Sequence, residues 1–139
     1  MTVAQVATFF ERYAQAFSRL DVDSICDLWA YPAFIAARGN RTSLSETEFR
    51  QNLRGVCAFY KAQGMASASA RVVDLAQLTD SVASVRTAYE LVDDDGATIT
   101  KWVHAYLMSE TSEGLRLVAS LPDEEMAAWD ARGASMASS

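Results

Sequence analysis

The feature that most limits what this chain can fold into is a change of hydrophobic period at Gly64. Before it, apolar residues recur at intervals of three and four; after it, they alternate with polar ones. The first pattern marks one face of a helix and the second one face of a strand. Helices gathered in one half and strands in the other predict an α+β chain, in which the helices cover one face of a sheet.

Val3, Val6, Phe10, Tyr13, Phe17 and Leu20 share a helical face, which predicts a first helix over about 3–19. Leu20–Asp21–Val22–Asp23 breaks it and offers Asp caps for a shorter second helix carrying Ile25, Leu28 and Trp29 inward. Pro32 is expected to end that helix. Ala33–Ala37 and Arg41–Leu44 read as two short strands joined by a turn at Gly39–Asn40. Ser45–Glu46–Thr47–Glu48 has the form of a capping box opening a third helix, with Phe49, Leu53, Val56 and Tyr60 on one face and Gly64 as terminator.

Past Gly64 four strands are predicted, over 68–78, 81–92, 97–109 and 115–121. The turns between them are too short for parallel crossovers, so neighbours must run antiparallel. Asp93–Asp94–Asp95–Gly96 is such a turn; it lacks the spacing and terminal Glu of a calcium loop. Pro122–Glu125 begins a short final helix over about 123–131, and 132–139 is expected to be a frayed tail. Residues 1–131 are thus one domain, a size that 139 residues allow.

A net charge of −6, with twelve scattered Lys and Arg, argues against nucleic-acid or membrane-surface partners. The first twelve residues do not read as a secretory signal, and no stretch approaches the roughly 20 apolar residues of a bilayer span. Cys26 and Cys57 fall at core positions of helical patterns and read as reduced thiols, which points to the cytoplasm. One His and two distant Cys cannot assemble a zinc site, and no phosphate loop or nucleophile motif is present, so no metal or cofactor is expected.

The element order resembles that of the nuclear transport factor 2-like superfamily, which includes ketosteroid isomerases, polyketide cyclases of the SnoaL type and limonene epoxide hydrolases. Phe9–Phe10–Glu11–Arg12–Tyr13 with Asp21–Val22–Asp23 is similar to that family's first helix and its acidic break. Asp27–Leu28–Trp29–Ala30–Tyr31–Pro32 is similar to its second helix entering the first strand. Gly114–Leu115–Arg116–Leu117–Val118 resembles its closing strand, with Leu115 where Trp is usual. The resemblance spans residues 3–121. It implies three helices packed on a curved, mixed but mainly antiparallel sheet, a cone-shaped α+β barrel. It also implies a conical cavity for a small apolar molecule, and a homodimer formed through the outer sheet face. Family members include enzymes and non-enzymes, so fold alone does not carry function.

On the strand 97–109, Trp102, His104 and Tyr106 share one face. His104 is the one histidine, and reads either as a cavity acid or base or as a neutral residue in an aromatic patch or dimer interface. Asp74 interrupts an apolar strand and reads either as a cavity carboxylate or as a solvated outer residue. Arg86 is expected to pair with Glu90 or a neighbouring strand. Tyr13, Trp29, Phe34, Tyr60, Trp102 and Tyr106 are candidate ligand-lining residues, which equally serve as core. Three functions stay open: a domain binding a small apolar ligand, a cofactor-free isomerase, cyclase or lyase using His104 or Asp74, and an association module.

Overall fold

The computed structural model describes residues 1–136. Its helices are α1 (Val3–Ser18), α2 (Val22–Cys26), α3 (Glu46–Ala62) and α4 (Asp123–Ala131). Its strands are β1 (Trp29–Ala37), β2 (Asn40–Leu44), β3 (Ser67–Gln77), β4 (Val82–Val92), β5 (Thr98–Thr111) and β6 (Gly114–Leu121). The strands form one curved, mixed sheet in the order β2-β1-β6-β5-β4-β3. Only β1 and β6 run parallel. The sheet does not close: β2 and β3 remain edges, so the expected barrel is an open cone.

Capping chemistry fixes the helix starts. Thr2 and Gln5 form a capping box on α1, and Ser45 and Glu48 form one on α3. Val6, Phe9, Phe10 and Tyr13 then line the buried stripe of α1, and Phe49, Leu53, Cys57 and Tyr60 that of α3. Gly64, at φ +86°, ends the α3 segment as expected of a glycine terminator. α1 packs on β3, α3 on α2 and β1, and α4 on β5.

Two local readings are corrected. The second helix stops at Cys26, and Trp29–Pro32 belong to β1, with Tyr31–Pro32 in cis. Trp29 finds a strand partner in Leu117 of β6, a pairing no local pattern announces. The first hairpin turns at Arg38–Gly39 and not Gly39–Asn40, because Ala37 pairs with Asn40. Both turn residues have positive φ, the geometry that matches the twist of paired strands. Past α4, Ala134 and Met136 are partly buried against the core. Residues 137–139 lie outside the described residues.

Two bulges set which residues face inward. The bulge between Val72 and Asp74 leaves Val72 opposite buried Thr87 but puts Asp74 opposite exposed Arg86. The bulge between Leu117 and Ala119 on β6 turns Ser120 inward, opposite Tyr106. Among the described residues no helix is long and apolar enough to cross a membrane. Cys26 and Cys57 are buried and free, and burial pushes the Cys57 thiol up to about 11.

Candidate functional site

β5 turns Trp102, His104, Tyr106 and Met108 toward the helices, and β4 turns Val85, Thr87, Tyr89 and Leu91 the same way. This settles the orientation left open by the alternating pattern. Tyr106 meets Phe10 at 5.4 Å and Tyr13 at 6.3 Å between ring centroids. The Trp29 indole donates to the Tyr13 hydroxyl at 3.0 Å. Tyr13, Trp29, Tyr60, Trp102 and Tyr106 therefore come together inside the fold, where their rings occupy the interior.

His104 is buried at the centre of this group. The Trp102 indole N–H donates to its Nδ1 at 3.1 Å, and its Nε2 lies 2.7 Å from Ser120 Oγ. An indole can only donate, so Nδ1 holds the lone pair and the ring hydrogen sits on Nε2, directed at Ser120. Burial lowers the histidine's pKa to about 3, so the ring is neutral at physiological pH. It stacks on Tyr106 at 4.3 Å.

The sequence reading missed Glu125. It sits on α4 with its carboxyl directed inward, accepts from the Tyr60 hydroxyl, and accepts from the Trp129 indole at 3.2 Å. Its Oε1 is 3.7 Å from His104 Nδ1. Burial pushes the carboxyl up to about 7, against the two hydrogen bonds, which favour the charged form. Nearby, the Tyr89 and Tyr106 hydroxyls share a hydrogen bond of 2.8 Å, and burial raises both phenols well above their usual range. Thr87 Oγ1, fully buried on the cross-strand partner of His104, has no hydrogen bond among the described residues. A signal for Glu125 was present in the sequence, since Glu125 and Trp129 are four apart and share a helical face. Three consecutive acids at a helix start, however, read first as dipole complements.

Chemically the cluster holds an acid poised near neutrality beside a neutral imidazole, in a water-poor aromatic setting. That is the raw material of proton transfer, although both nitrogens of His104 already have partners.

Two predicted site residues lie elsewhere. Asp74 is exposed on the outer face opposite Arg86, because the bulge at Val73 shifts it out of the inward row. Phe34 is 49% exposed, also on the outer face, where it pairs with Ala119 and Ser43. It lines an outer groove of about 340 Å³ with Ala36 and Arg41. Arg86 lies 3.8 Å from Glu124 of α4, while Glu90, its expected partner, accepts from Thr98. Among the described residues no three metal-ligating side chains gather.

A curved, unclosed sheet backed by helices is the fold of nuclear transport factor 2-like domains, and comparison with known proteins agrees. Residues 4–125 match the family described as NTF2-like protein (DUF6841), and the chain belongs to it. Solved structures share the fold at low identity. An NTF-2 like protein of unknown function from Shewanella oneidensis MR-1 is similar at a TM-score of 0.66 and 12% identity, over 87% of this chain and 98% of that one. A domain of unknown function with a cystatin-like fold from Nostoc punctiforme gives 0.68 and 14%, over 87% and 77%. A ketosteroid isomerase-like protein from Erwinia carotovora atroseptica gives 0.63 and 14%, over 86% and 92%. At such identities the likeness concerns fold alone. No curated protein is close enough in sequence to count as a match.

Proposed function

We propose that this domain binds a small, largely apolar molecule inside the cone. Tyr60, Thr87, His104 and Tyr106 are its polar anchors among the rings of Tyr13, Trp29 and Trp102. The observation that carries this reading is Thr87 Oγ1, a fully buried hydroxyl without a hydrogen bond among the described residues. Leaving such a group unpaired costs about 1–3 kcal/mol, a cost that a structural core avoids by placing Val there. A ligand with one hydrogen-bonding group would satisfy it. Asp74, across the sheet, takes no part.

Melting-temperature screening against hydrophobic acids, lactones and steroids tests the reading. A true ligand at about 100 times its Kd adds about 2.7 kcal/mol and raises the midpoint by several degrees. Thr87→Val should stabilise the free protein by about 1 kcal/mol and shrink the ligand-induced shift. A panel that leaves the melting temperature unmoved would sink the idea.

A second reading, association with another copy of the chain, has its own support. The outer sheet face exposes Phe34 by 49% and Leu121 by 40%, beside the half-buried Val103, Ala105 and Leu107. Contiguous apolar surface of this kind marks association sites.

A further inference from the structure

β6 pairs with β5 only between Ala105 and Thr111, which leaves the β5 edge from Thr98 to His104 without a strand neighbour on that side. α4 fills the place, and Arg132 just beyond it donates to the Ile99 carbonyl at 2.6 Å. The family match ends at residue 125, within α4.

α4 sends one carboxyl and one indole inward, on Glu125 and Trp129. The carboxyl is held by the Tyr60 hydroxyl. The Trp129 ring stacks on Tyr60 at 6.0 Å and meets Phe59 edge-on at 5.0 Å. Its outward hold is made of exposed charges. Asp123 accepts from the Arg38 amide at 2.8 Å, Asp130 pairs with the Arg38 guanidinium at 2.6 Å, and Glu124 lies 3.8 Å from Arg86. Such pairs are individually weak and screened by salt. Pro122 precedes the helix without a side-chain cap, and Gly133 follows at φ +77°.

We propose that α4 is a displaceable self-occupant of the interior, and that the molecule which displaces it is an aromatic carboxylic acid bound in its neutral form. This rests on the interior-binding reading above and names the ligand class for that site. Glu125 and Trp129 together are an aryl acid supplied by the chain itself, and the surfaces that hold them would hold its competitor. The titratable groups facing Glu125 are Tyr60 from α3, His104 and Tyr106 from β5, Tyr89 from β4 and Tyr13 from α1. None is cationic at neutral pH: His104, whose Nδ1 lies 3.7 Å from Glu125 Oε1, is neutral there. A carboxylate would be poorly solvated there, whereas a protonated acid would not.

Hydrogen exchange on the full chain, with indole-3-propionic acid as probe, tests this. Without the probe, amides of 123–131 should exchange roughly 100-fold faster than those of β4 and β5, through local opening. The probe should raise α4 exchange about tenfold further and slow that of β5. It should bind at least about tenfold more tightly at pH 5 than at pH 8, since only the neutral acid is taken up. Tyr60→Phe removes the same hydrogen bond from Glu125 and from the probe, so it should speed α4 exchange without the probe about tenfold while leaving the probe's affinity nearly unchanged. Exchange of α4 only through global unfolding would overturn the proposal, as would probe binding that leaves α4 exchange unchanged. If panel molecules raise the melting temperature and the probe does not bind, the aryl-acid assignment falls and interior binding stands. If α4 opens locally but neither panel nor probe binds, both fall.

Discussion

Glu125 and His104 lie 3.7 Å apart among buried side chains, and burial moves their protonation in opposite senses. The carboxyl rises from 4.5 to about 7, so its contribution to stability is full below pH 4.5 and is lost as pH climbs to about 7. The imidazole falls from 6.5 to about 3, so its contribution is full above pH 6.5 and is lost as pH drops toward 3. Between pH 4.5 and 6.5 the two slopes oppose, and the wild-type protein should show nearly level stability there. Glu125→Gln should uncover a stability that rises across this window, and His104→Gln one that falls, each by a few kcal/mol over its full range. Denaturant titrations at closely spaced pH values would measure this. A steep wild-type slope through the window would contradict it. His104 and its aromatic neighbours were legible in the sequence, because strand alternation puts them on one face. Whether that face met helices or water was not legible, since alternation is symmetric between the two faces.

At the scale of elements, the parts with local chemistry were the readable ones. Ser45–Glu48 was visible as a capping box and is one. Ser45→Ala should cost about 1 kcal/mol, measurable as a lowered denaturation midpoint with an unchanged slope. A loss below about 0.3 kcal/mol would mean that tertiary packing alone holds the start of α3. α2 and β1 were misjudged where a distant partner decides. Trp29 lies on a helical pattern with Ile25, yet pairing with Leu117 of β6 draws it into a strand. Asp74 was misplaced for a related reason, because one extra residue at a bulge exchanges the faces of all that follows. α4 was foreseen as a helix, but its role was not, because its inward residues acquire partners only from α3 and β5.

At the scale of the whole molecule, the outer face poses the remaining question. If copies associate there, light scattering should return twice the mass of one chain, and Phe34→Glu should return a single chain with its fold intact by circular dichroism. The buried cluster lies on the other side of the sheet, so that variant should leave the ligand response unchanged. A monomeric wild type at about 100 μM would end the association reading, because a stable dimer of standard interface size forms well below that concentration. The sequence by itself determined the α+β class, the element order, the capped starts of α2 and α3 and which side chains share a face of β5, because each follows from local periodicity and capping chemistry. Only the tertiary structure decided that the sheet stays open, that bulges place Asp74 outside and Ser120 inside, and that α4 delivers Glu125 to His104. Those outcomes depend on contacts between residues far apart in the chain, and no local pattern encodes which distant surface an element will meet.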